Sequence, residues 1–66
     1  MKLTVNGEPR EFPPGTTLAG LVTELVASPK GVAAALDGEV VPRRAWPDTP
    51  LADGCVVEVV TAVQGG

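Results

Sequence analysis

Cys55-Val56-Val57-Glu58-Val59-Val60-Thr61-Ala62-Val63 is a valine-rich run, and Gln64-Gly65-Gly66 follows it to the end of the sequence. The run reads as the longest strand of the chain. Val57 and Val59 share one face, with Glu58 on the other, because side chains alternate along a strand. Nearly continuous valine predicts a central strand covered on much of both faces. The two glycines have no Cβ, so the backbone there can enter a channel too narrow for side chains and take almost any φ/ψ. Gly66 carries the α-carboxylate at the tip of an expected mobile tail. Taken alone, two terminal glycines are as easily a frayed end as a reactive one; the rest of the chain weighs between these.

The 66 residues make one expected domain, 1–66, with a thin core, since a chain of this size buries only ~60% of its unfolded surface. Cys55 is the lone cysteine, which excludes an internal disulfide and points to a reducing compartment. Met1 opens directly on a strand pattern and not on a charged segment followed by an apolar one, so no signal peptide is expected. The longest fully apolar run, Val32 to Leu36, is five residues, far short of the ~20 residues that span a bilayer. A soluble, cytoplasmic protein with no membrane association is expected. Eight acids against five bases give a net charge of −3, which argues against nucleic acid, whose binding neutralises phosphates with Lys and Arg. Phe12 and Trp46 are the only aromatics, too few for a base-stacking platform. With no histidine and one cysteine, a zinc site has no usual ligand set, and neither metal nor bound cofactor is expected.

Outward from the valine run, the other elements fall into place. Lys2-Leu3-Thr4-Val5 alternates as a strand, Asn6-Gly7 is a hairpin signal, and Glu8 to Phe12 is the returning strand. Pro9 suits an edge, because it has no N–H to give a ladder. Pro13-Pro14-Gly15 ends the hairpin. Thr17 is favoured over Thr16 as a helix N-cap. Leu18, Leu21, Val22 and Leu25 then repeat at i, i+3, i+4 and i+7, one apolar stripe, so a helix is expected over 18–27, stopped by Pro29. Leu21 and Leu25 are expected to pack on Val57 and Val59. Gly31 to Leu36 is read as a strand because Asp37-Gly38, another hairpin signal, follows it. Glu39-Val40-Val41 returns, and Pro42 ends it. Arg43 to Ala52 reads as an ordered loop with room for one 3₁₀ turn, and Asp53-Gly54 as a third turn of the same kind. The order is β-β-α-β-β-β, an α+β fold in which a mixed sheet of about five strands packs on one α-helix.

The chemical inventory is poor in catalytic groups. No histidine is present to activate a nucleophile, and the carboxylates form no recognisable acid–base pair, as expected of solvated surface charge. No glycine-rich loop leads into a helix to hold phosphate. The chain is expected not to be an enzyme, and no catalytic residue is assigned. Cys55 reads as a small residue filling a strand position, since nothing near it in sequence would lower a thiol pKa. Trp46 reads as a lid over one end of the core in preference to a binding anchor. Arg43-Arg44 is the one paired basic spot on an acidic chain, either solvated or a contact for a partner.

Val5-Asn6-Gly7, Pro14-Gly15-Thr16-Thr17-Leu18, Val40-Val41-Pro42-Arg43 with Trp46, Leu51-x-Asp53-Gly54 and Val63-Gln64-Gly65-Gly66 together resemble the ubiquitin-like β-grasp family. Within it they resemble the ThiS-type sulfur carriers of bacterial thiamine (thiazole) biosynthesis, over the whole chain. Cys55 is a departure, since acidic or polar residues often follow Asp-Gly in such chains. The resemblance implies a β-grasp fold and a carrier whose site is Gly66. A ThiF-type, E1-like adenylyltransferase would adenylate the Gly66 carboxylate with ATP. Sulfur from a donor such as a cysteine desulfurase would give a C-terminal thiocarboxylate, and thiazole synthase of the ThiG type would take it up. Val63, Gln64 and Gly65 would thread the partners' active sites. Two other functions stay open at this point: a sulfur carrier for molybdopterin or cysteine synthesis, and a ubiquitin-like protein modifier.

Overall fold

Leu3 and Val5 face one side of β1 (Lys2–Val5) and are buried, while Lys2 is exposed. Asn6 (φ 52) and Gly7 (φ 83) both take positive φ, the conformation of a type I′ turn. The chain returns in β2 (Glu8–Glu11), which is exposed throughout and pairs antiparallel with β1, Leu3 opposite Arg10. The structure, a computed structural model, describes residues 1–28 and 30–61.

Helix α1 (Leu18–Leu25) starts at Thr17, whose Oγ1 accepts the Gly20 N–H at 3.2 Å. Its first turn is fastened to the later loop: Leu18 N–H donates to the Thr49 carbonyl and Leu51 N–H to the Thr16 carbonyl. The helix ends at Leu25, before the expected Ala27. Val26 is already extended (φ −130, ψ 148) and half-buried, packed against the core. The core takes up a β-branched side chain there, which prefers extended backbone. Leu25 is likewise half-buried, not a core residue; the buried stripe is Leu18, Leu21 and Val22.

Strands β3 (Val32–Leu36) and β4 (Glu39–Val41) form the second hairpin around Asp37 (φ 50) and Gly38 (φ 86). A 3₁₀ helix spans Arg43–Asp48, and β5 (Val56–Thr61) follows. The sheet order is β2-β1-β5-β3-β4. β5 is the central strand, parallel to β1 and antiparallel to β3, so the sheet is mixed. The core lies between α1 and one sheet face: Leu3, Val5, Ala34, Val57 and Val59 meet Leu18, Leu21 and Val22, with Trp46, Leu51 and Cys55 closing the edge.

Two further expectations fail. β5 is central but covered on one face only: Val57 is 0% exposed, whereas Val56 is 43% and Val60 62% exposed. The one α-helix among the described residues covers one face, and the rule linking valine runs to two-sided burial applies where helices flank both. Asp53-Gly54 is not a third hairpin turn; of the pair only Gly54 has positive φ (89), and a loop precedes it. It closes on β1 instead, with Gly54 N–H donating to the Lys2 carbonyl at 2.8 Å and Asp53 Oδ1 accepting the Lys2 N–H at 2.7 Å.

Candidate functional site

The strand that leads toward Gly66 is held by turn side chains as well as by its ladder. Asn6, in the first turn, reaches across to Val59. Its Oδ1 accepts the Val59 N–H at 2.8 Å and its Nδ2 donates to the Val59 carbonyl at 3.2 Å. The amide thus prolongs the parallel pairing of β1 with β5 beyond its last backbone bond, from the Asn6 N–H to the Val57 carbonyl at 2.9 Å. Asp37, in the second turn, accepts the Val56 N–H on Oδ1 at 2.9 Å and donates its own N–H to the Val56 carbonyl at 2.7 Å. β5 is therefore held at its first residue and at its middle, and its last described residue, Thr61, lies opposite Val32. Gly66, with Val63, Gln64 and Gly65, lies outside the described residues.

Arg43 and Arg44 are exposed and open the 3₁₀ helix directly after β4. β4 is antiparallel to β3, and β3 to β5, so the chain leaves β4 toward the Val32 and Thr61 end of the sheet. The pair therefore sits at the end from which β5 runs on. Trp46 belongs to the core more fully than a lid does: it is 3% exposed, and its Nε1–H donates to the Val41 carbonyl at 2.9 Å. That bond satisfies the indole donor that burial would otherwise strand.

Cys55 precedes β5 and is 8% exposed, and its Sγ accepts the Ala52 N–H at 3.1 Å. Its thiol is turned to the interior, which suits a structural residue better than a sulfur-handling one. Among the described residues no group of His, Cys, Asp or Glu is placed to hold a metal, and no helix is long and apolar enough to cross a membrane.

The sheet face opposite α1 is the feature that the valine run concealed. Val40 is 74% exposed there, and Val60 and Val56 are exposed on β5. Ala35 stands opposite Val40 on one side and Glu58 on the other, and Ala33 stands opposite Val60. The alanines floor an open trough between Val40 and the pair Glu58 and Val60. Glu58 between valines was the available sign of an uncovered face, because a carboxylate without a partner stays in water.

A mixed sheet in this order on one helix, with the valine strand in its middle, is a ubiquitin-like β-grasp domain of the carrier kind. The chain belongs to the ThiS family, whose sequence model matches residues 3–66. It is 47% identical to the sulfur carrier protein ThiS of Thermus thermophilus over 62 residues, 94% of this chain and 95% of that one. The crystal structure of the thiamine biosynthesis protein ThiS from Geobacter metallireducens superposes with a TM-score of 0.85 at 36% identity, covering 100% of both chains. The chain is also 35% identical over all its 66 residues to a thiazole synthase of Paramagnetospirillum magneticum, of which it spans 20%. As a ThiS-family member it is a sulfur carrier, worked on by other enzymes and not itself an enzyme.

Proposed function

We propose that this carrier serves thiamine biosynthesis through the carboxylate of Gly66. The observation that carries the reading is the ThiS-family match, which runs through Gly65 and Gly66, in a chain matching the Thermus carrier over 95% of that protein's length. A C-terminal carboxylate is ionised at neutral pH and resists substitution because its oxygen leaves poorly. In a ThiF-type adenylyltransferase, one carboxylate oxygen attacks the α-phosphorus of ATP and pyrophosphate leaves. The acyl carbon then carries AMP, a good leaving group. The outer sulfur of a persulfide, drawn from a donor such as a cysteine desulfurase, attacks that carbon and expels AMP, and a thiol then reduces the resulting acyl disulfide to the thiocarboxylate. ATP is thus consumed by the activating partner, and this chain needs no cofactor of its own. Thiazole synthase is the acceptor of the sulfur. Support for that partner comes from two thiazole synthases of which a fifth matches this whole chain, so a segment of this kind and the synthase share one polypeptide there.

The five residues after Thr61 reach at most ~17 Å at ~3.3 Å each, enough for Val63 to Gly66 to thread a partner's channel. Arg43 and Arg44, at the same end of the sheet, would contact the partner beside that channel. The test is the intact mass after incubation with the cognate adenylyltransferase, ATP and a sulfur donor. The expected result is the exchange of one oxygen for one sulfur at Gly66. Ligation to lysines, with no sulfur gained, would identify a protein modifier instead. Deleting Gly66 shifts the carboxylate by ~3.5 Å, and a misplacement of ~1 Å can cost ~10²-fold in rate. ATP–pyrophosphate exchange should collapse for the deletion while melting stays that of the wild type; unchanged exchange would remove Gly66 from the mechanism.

A further inference from the structure

We infer that the trough on the open sheet face receives an arginine of thiazole synthase, with Glu58 as the residue that selects it. The inference rests on the synthase being the partner. Ala33 and Ala35 floor the trough, and Val40 and Val60 flank it. An apolar surface this exposed marks a contact site when it is contiguous. An aliphatic side chain alone would fill the trough but would bury Glu58 without a partner, and a carboxylate desolvated in that way is costly. A side chain with an apolar stem and a cationic head meets both conditions. The stem lies on the alanines between Val40 and Val60, and the head pairs with Glu58. Arginine fits better than lysine, because its planar fork can take both carboxylate oxygens.

The complementarity is also one of charge, since the chain is −3 overall and Glu58 is the one ionisable side chain among the described residues lining the trough. β5 ties this contact to the chemistry, because Glu58 and Val60 stand on the strand that runs on toward Gly66. A synthase seated on this face holds the root of the segment whose tip it must receive.

Isothermal titration of the full chain into its cognate thiazole synthase tests this. Glu58→Arg should weaken binding more than tenfold, and Glu58→Gln by less. Ala35→Leu, which fills the trough and leaves the charge alone, should weaken it severalfold. Glu24→Arg makes the same charge change on exposed helix surface and should leave binding within twofold. All four should melt near the wild type, because none removes a buried side chain. Wild-type affinity in both Glu58→Arg and Ala35→Leu would overturn the inference, even if adenylyltransferase binding were lost. An equal loss in Glu24→Arg would also overturn it, by showing that only net charge matters. A wild-type chain that does not bind the synthase at all would overturn the partner reading, and this inference with it.

Discussion

Asn6 answers two demands at once. Its φ of 52 is one that Asn tolerates better than most residues with a Cβ, and its side-chain amide makes two hydrogen bonds to Val59. Asn6→Gly keeps the backbone freedom and loses both bonds, so it should cost ~1–3 kcal/mol at ~0.5–1.5 per bond. Asn6→Ala loses the bonds and adds the left-handed penalty, roughly 1–2 kcal/mol more. Urea unfolding should therefore rank wild type, then Gly, then Ala; a Gly variant as stable as wild type would show that the amide contributes nothing. Cys55→Ser should still form thiocarboxylate within a few-fold, because the thiol accepts a local N–H and a hydroxyl can do the same. Loss of thiocarboxylate formation in a folded Cys55→Ser protein would give Cys55 a part in sulfur transfer. Asn6-Gly7 announced its turn in the sequence. Its grip on Val59, 53 residues away, did not show, because hydrogen bonds between distant segments leave no periodic trace.

The helix was legible because two independent signals agreed, a Thr N-cap and a four-residue apolar stripe. Its end was not, since Val26 leaves the helix to pack in the core, and no capping glycine marks the place. The same packing grades the stripe. Leu21 is 0% exposed, so Leu21→Ala should cost ~2–5 kcal/mol, enough to unfold most of so small a domain at 37 °C. Leu25→Ala, at a half-buried position, should cost less than half as much by thermal melting; equal costs would mean that the helix sits rotated from the face assigned here. Thr17→Ala removes an N-cap and should cost ~0.5–2 kcal/mol. The elements near the Gly-Gly end were harder to read. The valine run was recognisable as a central strand, but its one-sided burial depends on how many helices the chain can spare, which no local pattern records.

At the scale of the molecule, the last strand in sequence is the middle strand in space. Without β5, β1-β2 and β3-β4 are two hairpins with no shared ladder, and an isolated two-stranded hairpin is marginal in water. The fragment 1–54 should therefore show no cooperative thermal transition and poorly dispersed amide resonances, and a sharp transition would show that α1 and the hairpins suffice alone. The exposed turn at Asp53-Gly54 is thus a natural seam. A slot between β1 and β3 awaits one strand, and that strand is short enough for chemical synthesis. A synthetic peptide of residues 55–66 added to the fragment should restore the fold by complementation. Its terminal group can be chosen at the bench, as carboxylate, thiocarboxylate or amide, so the loaded and unloaded carrier can each be assembled with no activating enzyme present.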